Sequence, residues 1–440
     1  MKCRIAVLIL AATVLWAFEA GAAETATPPT KASLPSVPPG KAPFPYVWGK
    51  GFHILPETTS DESGYFSLCE GRNKKIYVGT AKYNVDAFLV EFDPQTEKQR
   101  VVVDTNKVCG LTASGYAAQS KIHTKNFVGP SGKIYIGSKQ GYRLKDDTSE
   151  YAGGYAMIYD PATDKTENLG MPYPGDGVID ITADESRGLI YIVTCEHQHW
   201  MLYDLKTKKF RELGPILYGQ PSTLVDSRGR AHCLTVDGHI ARYDPDTDKV
   251  TIEPFLLDGA PMAVAKMSNP TWQLAADGRT AYLIYMSDAR LMKLDLGSDD
   301  GQPVQAKTLG PMLEGEHPDS RGSLSIAPDG RVYTVIRIDN KTGFGGGYLH
   351  YLNRYDPATG KMENLGVLAV KNPEYHKAAI LGPDGKPKPW THGFHTLPDG
   401  TLTPLHAHMA MVVTADNTIY VTIIYPFTLL RIDEFKTAAK

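Results

Sequence analysis

From residue 44 onward, apolar and polar positions alternate in short runs, each ended by a cluster of Asp, Asn, Gly or Pro. A period of two marks strands with one buried face, and the turn residues fold the chain back on itself. One unit recurs. A strand meets a tight turn, a second strand follows, and a third ends in an aromatic or aliphatic residue plus Asp. A turn such as Pro161-Ala162-Thr163-Asp164-Lys165 then leads into a short fourth strand.

The end of the third strand is the landmark that can be counted. It is Phe92-Asp93-Pro94, Tyr159-Asp160-Pro161, Tyr203-Asp204, Tyr243-Asp244-Pro245, Leu294-Asp295, Tyr355-Asp356-Pro357 and Ile432-Asp433, seven copies in all. First-to-second-strand turns recur beside it, among them Gly129-Pro130-Ser131-Gly132, Asp226-Ser227-Arg228-Gly229, Ala276-Asp277-Gly278, Pro328-Asp329-Gly330 and Ala415-Asp416-Asn417. In such turns Asp and Asn bond their own backbone and Gly supplies positive φ. Four short strands per repeat, 40 to 77 residues apart, predict an all-β chain closed as a seven-bladed β-propeller. The competing arrangement, a β-sandwich or two packed β-domains, does not account for so regular a count.

The last copy offers only three strands, Met409 to Thr414, Thr418 to Ile424 and Phe427 to Asp433. The strand-like run Phe44 to Leu55 is expected to complete that blade, so that an N-terminal strand seals the ring and leaves no open edge. Residues 44–440 are therefore read as one propeller. Ahead of it, residues 1–23 read as a secretory signal peptide: a basic start (Lys2, Arg4), an apolar run from Ile5 to Phe18, then small residues. Residues 24–43 are Pro-rich and polar, a flexible tether. This predicts a periplasmic or secreted protein with no stable membrane insertion.

Charge and cysteines narrow the classes further. The 46 basic and 49 acidic residues become 44 and 48 without Lys2, Arg4 and Glu19, a net charge of −4. That balance gives no support for nucleic-acid binding. Cys69, Cys109, Cys195 and Cys233 are scattered, with no C-x-x-C, so zinc knuckles and c-type haem are not indicated. Disulfides and isolated buried thiols both remain open.

In a propeller, turns between the second and third strands and between blades share one face. Here that face carries the insertions, residues 104–120, 139–154, 338–350 and 367–405, which points to binding there. Positions bordering its funnel are rich in His, Lys, Arg, Tyr and Gln: Tyr65, Lys82, Tyr83, His123, Lys139, Gln140, Tyr142, His197, His199, Gln220, His239, Asn269, Trp272, Arg321, Arg337, His406, His408 and Tyr425.

Three chemistries suggest themselves. His123, where an inner strand starts, faces Lys139, Gln140 and Tyr142 across the blade, so an imidazole, an ammonium and a phenol can move protons. His406/His408 and His197/His199 are two apart. On a strand that spacing puts both rings on one face, where they can share one divalent metal ion or simply hydrogen-bond across strands. His392 and His395 would cap the same funnel from the inserted loop. Arg321 and Arg337 suit a bidentate carboxylate or sulfate clamp, or a salt bridge to Asp319 or Asp339. Lys82, Tyr83 and Gln140 would line the substrate path. Trp272, Tyr83 and Trp390 can stack on sugar rings or pack between blades. No G-x-S-x-G, P-loop or dinucleotide fingerprint is present.

The repeated Tyr-Asp-Pro-Ala-Thr-(Asp/Gly)-Lys-(Thr/Met)-Glu-Asn-Leu-Gly at 159–170 and 355–366 resembles secreted bacterial propellers of the streptogramin-lyase-like or gluconolactonase-like kind. The segments 56–66 and 118–124 look like a subgroup seen in Planctomycetes-type genomes. The resemblance covers most of the chain after residue 45 and implies fold, not activity. By analogy alone, propeller lyases acting on uronate polysaccharides offer the same palette of funnel His, Tyr, Arg and sometimes a metal.

The expectation is an exported carbohydrate-active protein, with a lyase cleaving acidic polysaccharide by β-elimination favoured. His123 or Lys139 would be the base, Tyr142 the proton donor, and Arg321, Arg337 or a metal would neutralise the carboxylate. A non-catalytic glycan- or protein-binding propeller is the alternative. A metal-dependent lactonase or esterase ranks last, since it needs acidic ligands beside the histidines.

Overall fold

The computed structural model describes residues 40–214, 223–235, 237–262, 270–379 and 392–437. The leader, most of the tether, Gln220, Asn269 and Trp390 lie outside them. The chain divides into Met1–Gly40 and Lys41–Lys440, and the second unit carries the whole described fold.

Its strands form antiparallel up-and-down groups. One runs Val178–Asp184, Leu189–Thr194, Trp200–Asp204 and Lys209–Glu212. Another runs Leu324–Ile326, Val332–Asp339, Tyr348–Asp356 and Lys361–Val370. Each group is apolar on both faces, because each packs against its neighbours on both sides. In Leu189–Thr194 every residue after the first is buried. Such strands read as continuous apolar runs rather than clean alternation.

The landmark Asp has a local task. The side chains of Asp93, Asp160, Asp204, Asp244 and Asp356 each accept from the backbone N–H two residues on, at 2.9, 2.9, 2.7, 2.9 and 2.9 Å. This Asx bond starts the turn to the fourth strand. The preceding tyrosine joins neighbouring groups: Tyr159 meets Tyr77 at a 5.9 Å centroid distance, Tyr243 meets Tyr191 at 6.1 Å and Tyr355 meets Tyr282 at 6.1 Å. The repeated dipeptide thus encodes one turn and one inter-blade contact.

Closure follows the predicted scheme. Tyr46–His53 pairs antiparallel with the C-terminal strand Thr428–Ile432, with Lys50 opposite Arg431 and His53 opposite Thr428. Its first half pairs parallel with Lys361–Val370, Tyr46 opposite Val367. Val47 and Leu430 enter one core cluster with Val421 and Leu368, so chain start and chain end are stitched by both ladder and core. The described cysteines are unpaired thiols.

Candidate functional site

The short strand Lys121–Ile122 lies between two neighbouring groups, with Lys121 opposite both Ala81 and Lys139. This places a lysine at the inner edge of the ring, where the chain enters from the 104–120 insertion. Lys121 is 4 % exposed. Its Nζ lies 4.8, 4.7 and 4.2 Å from the ring centroids of Tyr65, Tyr83 and Tyr142. Among the described residues it makes no ion pair, in contrast to Lys139 beside it, whose Nζ is 3.4 Å from Glu196. Burial, and then the Lys139 ammonium, lower the Lys121 amine to about 7, while Glu62, Cys195 and Glu196 pull weakly the other way. The ring faces favour the ammonium by about 0.5–2 kcal/mol each.

The phenols form a connected wall. Tyr65 and Tyr142 share a hydrogen bond of 2.9 Å, and Tyr142 stacks on Tyr83 at 4.9 Å. Tyr83 donates to Glu62, which also accepts from Tyr425 at 2.5 Å. Burial, reinforced by neighbouring phenols and Glu62, raises Tyr65, Tyr83 and Tyr425 above the ordinary tyrosine value. They remain proton donors at neutral pH. Tyr142 is the outermost ring, 53 % exposed. Gly141 lets its loop lie this close, because a Cβ there would sit 2.7 Å from the Tyr83 ring.

Tyr65, Glu196, Arg321 and Tyr425 all take positive φ, at 65°, 73°, 46° and 63°. Non-glycine residues rarely adopt this region, at a cost of about 1–3 kcal/mol each, and such strain collects at functional sites. Here it aims four polar side chains of one wall.

Beyond Tyr425 the wall continues through His392, at 4.7 Å, and His406, at 5.4 Å, to the arginines. Asp319 accepts from Arg321 Nε and ion-pairs with Arg337 Nη2, both at 3.0 Å. Arg337 also donates to the His406 carbonyl at 2.7 Å. The predicted two-arginine clamp is therefore already closed on Asp319. Arg321 keeps its two terminal amino groups without a partner among the described residues, so a single guanidinium edge is left for an anion.

The other predicted residues divide sharply. His123 is buried, stacked on Tyr65 at 4.6 Å, with Nδ1 unpartnered. Burial, then Lys139 and Lys121, hold it well below the ordinary imidazole value. It is a neutral imidazole packed against Tyr65. Burial opposes the Lys139 charge, but Cys195 and Glu196 outweigh it and hold the ammonium. Gln140 donates to Glu196 at 2.8 Å and positions that carboxylate. Lys82 donates to the Glu57 carbonyl at 2.6 Å. Trp272 is fully buried in the core with Phe255 and Leu283 and offers no face to a sugar.

In neither histidine pair do the two rings converge on one shared point. His408 is buried, with Nδ1 3.0 Å from His350 Nδ1 and Nε2 3.0 Å from the Ser320 carbonyl, so both ring nitrogens are committed. His406 lies in the bend before the strand and faces His392 instead, at 4.9 Å. His197 and His199 bond Asp176 at 2.5 Å and Glu212 at 2.7 Å, and a left-handed Gln198 breaks the strand geometry that would align them. His395 is part of the hairpin Phe394–Thr396/Leu402–Pro404. Among the described residues, three ligating groups converge only at Glu316, His317 and Asp339 on an exposed rim, where Lys341 ion-pairs with Glu316 at 3.2 Å.

Lys121 and Glu62 were not singled out from the sequence. A signal existed for the lysine: it stands two residues before His123, and both side chains meet Tyr65.

A ring of antiparallel blades with a polar funnel on the inserted face defines a β-propeller. Comparison with solved structures gives the same answer. Virginiamycin B lyase from Staphylococcus aureus matches with a TM-score of 0.51 at 9 % identity, covering 87 % of this chain and 98 % of that one. The RRP9 WD40 repeats match at 0.54 and 8 % identity, covering 88 % and 99 %. The extracellular domain of the putative one-component system BT4673 from B. thetaiotaomicron matches at 0.52 and 13 % identity; the match covers 88 % of this chain but 40 % of that one. No protein-family model matches the chain, and no curated protein matches it in sequence. These likenesses establish the fold. Among the described residues no helix is long and apolar enough to cross a membrane.

Proposed function

We propose that the protein is an exported carbohydrate-active propeller whose funnel cleaves an acidic, uronate-containing polysaccharide by β-elimination. The observation that carries this reading is Lys121, a buried amine that makes no ion pair among the described residues, 4.2 Å from the ring of the exposed Tyr142. An amine near 7 is balanced for proton abstraction at neutral pH. Its neighbours Tyr65, Tyr83 and Tyr425 remain protonated, and His406 is lowered to about 4 by burial, His392 and the arginines. The lysine is the base best matched to the task.

The uronate carboxylate pairs with the open edge of Arg321, which stabilises the charge that develops as the adjacent C–H proton leaves. Lys121 takes that proton, the C–H electrons form the new C=C bond, and the C–O bond to the departing sugar breaks. Tyr142 donates its phenol proton to the leaving oxygen. The Lys121 ammonium then returns a proton to the Tyr142 phenolate, restoring the site. This requires no metal at the histidine pairs.

The test is ultraviolet absorbance of the unsaturated uronide product, measured on a panel of uronate polymers. Wild-type protein should give it on at least one polymer, and Lys121→Met should lower the rate at least about 10²-fold, the usual contribution of general base catalysis. Retention of polymer without any unsaturated product would leave a glycan-binding propeller. The exposed Tyr142 and Leu144, beside Arg143 stacked 3.8 Å over Tyr116, favour that second reading.

A further inference from the structure

We propose that Lys121 is a Schiff-base lysine, whose amine condenses with the aldehyde or ketone group of a small oxo-acid entering past Tyr142. This goes beyond β-elimination and does not depend on it. Carbonyl capture needs an uncharged amine, a proton donor for the departing oxygen, and exclusion of competing anions. Lys121 is 4 % exposed and enclosed by three aromatic faces rather than by a carboxylate. Its cross-strand partner Lys139 keeps an ammonium nearby, held by Glu196 at 3.4 Å. Desolvation and a second cation are the two devices that activate lysine for imine formation.

The carboxylate is accounted for as well. Near Lys121 the negative groups Glu62 and Glu196 are occupied, one by the phenols of Tyr83 and Tyr425, the other by Lys139, Gln140 and the Gly177 N–H. The anionic end of an oxo-acid therefore meets no bare carboxylate beside Lys121, and the nearby Lys139 ammonium attracts it. In the reaction the Lys121 nitrogen attacks the carbonyl carbon to give a carbinolamine. The hydroxyl leaves with a proton from Tyr142 as water, and the nitrogen loses its remaining amine proton, which re-protonates the phenolate. One amine and one carbonyl thus give one imine and one water.

The experiment is reductive trapping of the full mature protein at pH 7 with glyoxylate and cyanoborohydride, read by intact mass and peptide mapping. An ordinary lysine is about 10³-fold less deprotonated at this pH than one titrating near neutrality, from reference values. A less basic amine is also a weaker nucleophile, so the expected preference for Lys121 over surface lysines is roughly 10²-fold. Lys121→Arg should abolish the fast adduct while its melting curve confirms a folded propeller, and Lys139→Arg, which keeps the neighbouring charge, should retain it. Labelling spread evenly over surface lysines, or a fast adduct that survives Lys121→Arg, would overturn the proposal. Elimination activity without the adduct would sink this inference alone, and an adduct without elimination would sink only the elimination reading.

Discussion

Replacing Lys121 by methionine keeps the length and apolar stem of the side chain and deletes the charge. The amine falls from an ordinary 10.5 to about 7 on folding. At about 1.4 kcal/mol per pKa unit, the folded state at pH 7 carries a cost of roughly 5 kcal/mol relative to an unperturbed lysine. The substitution also removes three cation–π contacts, about 1.5–6 kcal/mol in sum for a full ammonium and about half of that near pH 7, where about half of the amines are charged. The net expectation is a gain of roughly 2–4 kcal/mol at pH 7, a site traded against stability. The pH dependence sharpens the test. The unfolded chain holds this proton up to about pH 10.5 and the folded chain releases it near 7, so between those values the unfolded state binds more protons. Wild-type stability therefore rises with pH across that window and is flat below it, as far as this group is concerned. The advantage of Lys121→Met should shrink steadily from pH 7 towards 10. Urea midpoints of both proteins across that range measure it. A variant less stable than wild type at pH 7, or a difference that does not change with pH, would refute the account of Lys121 as a desolvated amine.

Other consequences follow from the same wall. Asp319→Ala leaves the Arg321 and Arg337 guanidinium groups facing each other without their shared carboxylate and should cost about 2–4 kcal/mol, seen as a lowered urea midpoint; an unchanged midpoint would show that the pairing is solvated. Because His408 spends both ring nitrogens on His350 and Ser320, the His406→Ala/His408→Ala pair should leave the bound-metal content of purified protein unchanged, and a stoichiometric loss would contradict that geometry. Trp272→Ala should lose about 3–5 kcal/mol with no specific effect on glycan affinity in the molecules that remain folded, since the ring is core rather than platform. Deleting Phe44–Leu55 should collapse the thermal transition, because it removes the strand that joins Thr428–Ile432 to Lys361–Val370; a cooperative transition at the wild-type temperature would show that closure lies elsewhere.

Along the chain, the residues that encode structure locally could be read directly. Tyr159-Asp160 and its repeats specify a turn through a bond spanning two residues, and short apolar runs bounded by turn residues assign the strands. The missing strand of the last blade could be inferred by counting. The blade count itself rests on those landmarks. The polar wealth of the inserted face was equally visible.

Which of those polar groups is free to act was decided only by tertiary packing. His123 and Lys139 have the right chemical types, yet one is buried against Tyr65 and the other is held by Glu196, partners 58 and 57 residues away in the chain. His406 and His408 share a strand-like spacing, but a bend separates them and His350 takes up the second ring. Trp272 is suited to stack on a sugar and is enclosed by core instead. The reason is physical: strand and turn propensities act over a few bonds, whereas pKa, exposure and ion pairing are set by whatever the closed ring brings within about 4–6 Å. Lys121 shows this most plainly, an ordinary lysine in sequence that becomes the reactive candidate because three tyrosines from three other segments close around it.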